Sequence, residues 1–263
     1  MKKKDELKYF DETWEDMQIC LVDFCKHEQE ESLHQFRVLV KKISAFITLV
    51  GSMENKNPFK GLLKPLSKIF KKAGEIRNAQ INLQLCKTHQ LSNQDFIDSQ
   101  QELLDTAIPR FKEQEDDYIE KLATVYKAVK KKLKPVPNLH FYIYCNIKLH
   151  MLSDALQKDN FDEQLHNCRK IIKVLMYNYK LANARTAITI NKEYLDDVQT
   201  AIGNWHDSAL MIELLSVNAP KDKLVINSLK TNHDKQRDKV YRIVRDFYTN
   251  ATTVVDLPLE QID

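Results

Sequence analysis

The sequence predicts an all-α protein, and three observations carry that expectation. Only 4 Gly and 7 Pro punctuate 263 residues, too few for the tight turns of a sheet protein. Leu, Lys, Glu, Gln and Ala, all good helix formers, are abundant. Apolar residues recur at three- and four-residue steps over long stretches. With 43% hydrophobic residues a sizeable core can be buried.

The elements follow from local signals. A first helix is expected from about Asp5 to Lys26. A second starts after Ser32, a good N-cap residue, and ends near Gly51. Asn55 to Lys60, with Pro58, reads as a loop, and Pro65 opens a third helix that runs past Cys86. Ser92 to Lys132 reads as helical, broken or kinked at Pro109. Lys134-Pro135-Val136-Pro137-Asn138 is a hinge near the middle of the chain. Beyond it, helices are expected over Leu139–Gln157, Phe161–Ile190 and Glu193–Val217, with a loop over residues 158–160. A last helix runs from Pro220 to about Asn250, ahead of a frayed tail. The layout of the first half, residues 1–134, is replayed in 138–263. That predicts an internal duplication: two pseudo-symmetric packed bundles of long antiparallel helices.

Composition narrows the function. The net charge is only +3, from 40 Lys+Arg against 37 Asp+Glu, so any polyanion binding must come from local segregation of charge. Five cysteines without a CxxC pair read as reduced thiols. The start, Met1-Lys2-Lys3-Lys4-Asp5, leads into an amphipathic segment with no apolar signal region. No run of about 18 apolar residues is present to span a membrane. The expectation is a cytoplasmic protein.

One spelling occurs twice. Leu33-His34-x-x-Arg37-x-x-x-Lys41 recurs as Leu165-His166-x-x-Arg169-x-x-x-Lys173. At about 100° per residue, with His34 at zero, Arg37 falls near 300° and Lys41 near 340°. Phe36, Leu39, Val40, Ile43, Phe46, Ile47 and Val50 fall opposite, at roughly 120–240°. In the second copy His166, Arg169 and Lys173 align the same way, Lys180 joins them two turns later and Tyr177 sits close by. No acidic residue is expected on either basic face, whereas a merely solvated helix usually mixes signs. Each copy is followed by a glycine element, Gly74-x-x-Arg77-Asn78 and Gly203-x-x-His206-Asp207. Gly inside a helix costs about 1 kcal/mol relative to Ala, so close helix–helix approach is expected at both positions. Asn78 and Asp207 could orient a basic neighbour, or simply hold the preceding helix in place. Two such basic faces can line one anion site.

Taken in order, these four motifs resemble the CHAD domain (conserved histidine α-helical domain) over nearly the whole chain, Leu7 to Phe247. The resemblance implies a basic central pore or groove, formed by the two halves, that binds inorganic polyphosphate, with polyphosphate granules as a partner. By matching position the implied binding residues are His34, Arg37, Lys41 and Lys42, then His166, Arg169 and Lys173, with Arg77 and His206 as looser matches. Ser44, Val174 and Met176 stand where the family has further basic residues, and Asn78 stands for its usual Asp. No cofactor or metal is implied.

Other functions stay open. A nucleic-acid binder could stack bases on Tyr142, Tyr144, Tyr177 or Tyr179. A scaffold with a weakened site fits the three missing basic positions. An enzyme is the least supported: there is no HExxH, no Asp-rich metal motif, no Gly-rich phosphate loop and no ExExK element. For the lysines at 60, 64, 68, 71 and 72 a solvated face is the expectation.

Overall fold

Apolar stripes become helices almost wherever the periodicity calls for them. The computed structural model describes residues 3–90, 93–157, 161–179, 188–218 and 223–254. These residues form ten helices and one antiparallel pair of three-residue strands, an all-α fold. The chain divides into two compact units between Pro135 and Val136.

In the N-terminal unit, α1 (Lys3–His27) buries Phe10, Trp14, Met17, Leu21 and Phe24, spaced by three or four residues. A two-residue turn through Glu28, at φ 56°, reverses the chain into α2 (Glu30–Gly51), which packs along α1. This helix begins at Glu30, ahead of the expected start after Ser32. The Ser32 hydroxyl does not cap it but donates to Asp23 on α1, a tertiary partner outside local sequence. Its N-cap position, Gln29, makes no side-chain cap bond. The stripe Phe36, Leu39, Val40, Ile43, Phe46, Ile47 and Val50 is buried as expected.

Helix α3 (Lys64–Thr88) carries Pro65 in its first turn and packs on α2, α4 (Gln94–Lys112) and α5 (Glu115–Lys130). The cap of α4 is Asn93, whose side chain accepts the Phe96 N–H at 3.1 Å; the expected start at Ser92 lies outside the described residues. Pro109 does not break α4. Its missing N–H removes one upstream bond, while its own carbonyl accepts the Glu113 N–H at 2.9 Å. The break falls one turn later, at Glu113–Gln114.

In the C-terminal unit, α6 (Asn138–Leu156), α7 (Phe161–Tyr179) and α8 (Lys192–Asn218) pack in sequence, and α9 (Lys223–Ile243) packs on α8. Their core is built from Phe141, Cys145, Leu149, Leu165, Cys168, Ile172, Leu195, Val198, Ile202 and Val240. The loop 158–160 and the expected helix start at Pro220 fall outside the described residues.

The expected helix over Phe161–Ile190 is corrected at its end. Ile188–Ile190 is a strand, β1, paired antiparallel with β2 (Thr252–Val254), with Ile188 opposite Val254. An Ile-Thr-Ile run favours strand, and its partner lies some sixty residues on, beyond the reach of local periodicity. The last helix is also divided. Asp246, at φ 56°, ends the run before a short α10 (Phe247–Ala251). Thr252–Val254, expected to fray, is held by the strand pair.

No described helix is long and apolar enough to cross a membrane. All five cysteines are free thiols. Burial pushes Cys25 and Cys145 up to about 12 and Cys168 to about 11, holding them protonated.

Candidate functional site

The two basic faces take shape independently, one in each unit, and both are organised around an arginine laid into a glycine notch. In the N-terminal unit the Arg37 side chain reaches from α2 to α3. Its Nη1 donates to the Phe70 carbonyl at 2.7 Å, and its Cζ sits 4.2 Å from the centre of the Phe70 ring. Gly74 lies one turn beyond Phe70. A Cβ there would come within 3.2 Å of Arg37 Cζ and collide with Nη1. The expected close approach therefore exists, and the nearest group making it is the Arg37 guanidinium.

The C-terminal unit repeats the device. Arg169 on α7 donates from Nε to the Gln199 carbonyl on α8 at 3.2 Å. A Cβ at Gly203 would meet Arg169 Nη2 at 2.7 Å and Cζ at 3.0 Å. Phe70 and Gln199 each stand four residues before their glycine. Sequence reading missed both because their contribution is a backbone carbonyl, which has no side-chain signature. The glycine spacing was the available signal.

Around Arg37 the face gathers further cations. Lys41 Nζ stands 6.0 Å from the Phe70 ring centre. Arg77 on α3 pairs through Nη1 with Glu30 at 2.9 Å, while its Nε is buried with no hydrogen-bond partner among the described residues. His34 is pulled below its ordinary value by desolvation, then by Arg77, Lys41 and Arg37, against the opposing charge of Glu31. Burial followed by Arg77 lowers Arg37 as well. Lys42 sits about 100° round the helix from Lys41 and so leaves the shared face.

Glu30 corrects the expectation of a face without acid. Four residues before His34, it falls at about 320° on the same wheel, between Arg37 and Lys41. With the helix expected to start after Ser32, Glu30 fell outside the wheel. Asn78 is exposed, and among the described residues no hydrogen bond joins it to Arg77.

In the C-terminal unit the His166 and His206 rings lie 4.4 Å apart at 37°. His166 Nδ1 is buried without a partner among the described residues. Burial lowers His166, and Lys170, His206 and Arg169 lower it further, with Asp207 opposing. Lys173 is lowered by burial and then by Arg169, with Asp207 and Asp196 opposing. Asp207 thus favours the charged forms of both neighbours. Lys173 and Tyr177 line a cavity of about 640 Å³ with Met176, Lys192, Glu193, Asp196 and Gln199. Lys192 was not anticipated there. Lys180 lies outside the described residues.

Each face is thus a partly desolvated crowd of like charges with one buried basic nitrogen left unbonded. Such an arrangement is electrostatically costly alone and is relieved by a dense anion. Among the described residues no group of His, Cys, Asp and Glu could hold a metal ion.

No protein-family model matches the sequence, and no curated protein matches it. Among solved structures, the CHAD domain from the plant Ricinus communis matches with a TM-score of 0.64 at 14% identity, over 94% of this chain and 91% of that one. The chain has the fold of a CHAD domain.

Proposed function

We propose that this CHAD-fold protein binds inorganic polyphosphate, without chemical turnover, on the basic faces built around Arg37 and Arg169. The observation that carries the reading is the unbonded buried nitrogen in each face, Arg77 Nε in one and His166 Nδ1 in the other, set among mutually repelling cations. Polyphosphate offers about one negative charge per unit and strong acceptor oxygens, and has no bases to be read. Arginine meets such a ligand with paired donors and lysine with a mobile point charge.

Base stacking has weaker support. Tyr144 is only 7% exposed, so its ring is closed to a nucleobase. The Glu30–Arg77 pair favours one second reading, a scaffold whose site is partly self-neutralised. The reading sets binding in the cytoplasm, where free cysteines persist.

Titration of the purified chain with polyphosphates of defined length, at two salt concentrations, tests the proposal. Affinity should fall steeply with salt through counterion release, and RNA at equal phosphate equivalents should displace little ligand. Lys41→Glu combined with Lys173→Glu should lower affinity at least about tenfold, with helicity followed by far-UV circular dichroism and expected to be unchanged. Unchanged binding in that variant rejects the proposal.

A further inference from the structure

A different face of α3 carries an independent feature. Lys64, Lys68 and Lys72 follow one another at four-residue steps and span only about 80° of the helix, while Phe70 and Arg77 lie roughly opposite Lys68. With Lys121 of α5 these lysines line a cavity of about 540 Å³, closed by Gly61, Pro65, Ile69, Gln114, Asp117 and Tyr118. The geometry points to a second anion pocket, confined to the N-terminal unit, that takes a run of two or three phosphoryl groups.

Charge is the first argument. Four ammonium groups face one carboxylate, Asp117, which is already paired with Lys121 at 2.5 Å. Lys64 and Lys68 make no ion pair among the described residues. Like charges four residues apart repel by a few tenths of a kcal/mol each, and α3 carries this repulsion without an acidic residue in its first turn. The run was expected to be a solvated face, yet the usual compensating glutamates are missing from the ridge itself.

The floor is the second argument. Ile69 and Tyr118 are each 2% exposed, which gives the cavity a rigid, dry base. The Tyr118 hydroxyl donates to Gln114 Oε1 at 2.9 Å, and Lys72 Nζ donates to the same oxygen at 2.5 Å while standing 5.5 Å from the Tyr118 ring centre. Gln114 therefore has its acceptor engaged and keeps its amide donors for another group. The lysine ammonium groups and the Gln114 NH2 are donors, which suits phosphoryl oxygens. The volume fits a small ligand and not a polymer.

Calorimetric titration of the full chain with inorganic tripolyphosphate and, separately, adenosine triphosphate tests the pocket. Lys64→Glu with Lys68→Glu should weaken the tight phase about tenfold or more, and Lys64→Gln with Lys68→Gln should weaken it less. Both side chains are exposed, so far-UV circular dichroism should be unchanged. Lys41→Glu with Lys173→Glu should leave this phase in place while reducing long-chain binding, which separates this pocket from the polyphosphate proposal. Binding of both probes, or of one alone, supports the pocket and identifies whether the phosphoryl run is free or esterified. The pocket is overturned if wild-type protein binds neither probe or if the Lys64 and Lys68 variants titrate like wild type. An equal loss in the charge-matched control Lys87→Glu with Lys131→Glu would also overturn it, as bulk charge alone.

Discussion

At Gly74 a single hydrogen atom decides where an arginine goes. Replacing Gly74 by Ala improves helix propensity by about 1 kcal/mol, but the new methyl group displaces Arg37 from the Phe70 carbonyl. A hydrogen bond to a charged group is worth about 1.5–3 kcal/mol, so the loss wins and Gly74→Ala should be destabilised by up to ~2 kcal/mol in urea unfolding. In an Arg37→Ala background the same change should become neutral or stabilising, and this reversal of sign in a double-mutant cycle isolates the contact. Gly203→Ala should cost less, because Arg169 is bonded at the longer distance of 3.2 Å. The two histidines set a pH dependence. Both His34 and His166 titrate below the unfolded value of about 6.5. Below that value the unfolded chain binds more protons, so their contribution is complete above it and is lost as pH falls through the folded values. Ligand-free protein should therefore lose stability as pH falls below about 6.5, and His34→Gln with His166→Gln should flatten that fall in denaturation series. Polyphosphate reverses the sign of the linkage. The anion favours protonated imidazole, so binding should take up protons and strengthen on acidification, readable by calorimetry in buffers of different ionisation heat.

Among the elements, the start of α2 matters most for function. Three extra residues bring Glu30 into its first turn and onto Arg77. Glu30 is largely exposed, so the pair adds at most about 1 kcal/mol to stability. Glu30→Gln should leave the unfolding midpoint nearly unchanged and raise polyphosphate affinity several-fold in titration. If affinity is unaltered, the pair does not compete with the ligand. The apolar stripes of α2 and α7 were legible because a 3.6-residue period is a local property. The α2 start was not legible, because Ser32 is claimed by Asp23 of α1. Nor was β1, whose partner strand lies at the far end of the described chain.

For the whole molecule, ligand binding and stability are linked. At a free ligand concentration 100 times Kd, binding stabilises the folded state by about 2.7 kcal/mol. Polyphosphate should therefore raise the thermal midpoint, and the rise should shrink with added salt. By itself the sequence determined the all-α class, the apolar stripes and the two sets of basic residues, because helix period and charge placement depend on neighbours three and four residues away. Tertiary structure alone decided that each arginine lies in a glycine notch, that Glu30 meets Arg77 and that four lysines enclose one cavity. Those are meetings between separate helices, and their partners are backbone carbonyls and distant side chains that no local pattern encodes.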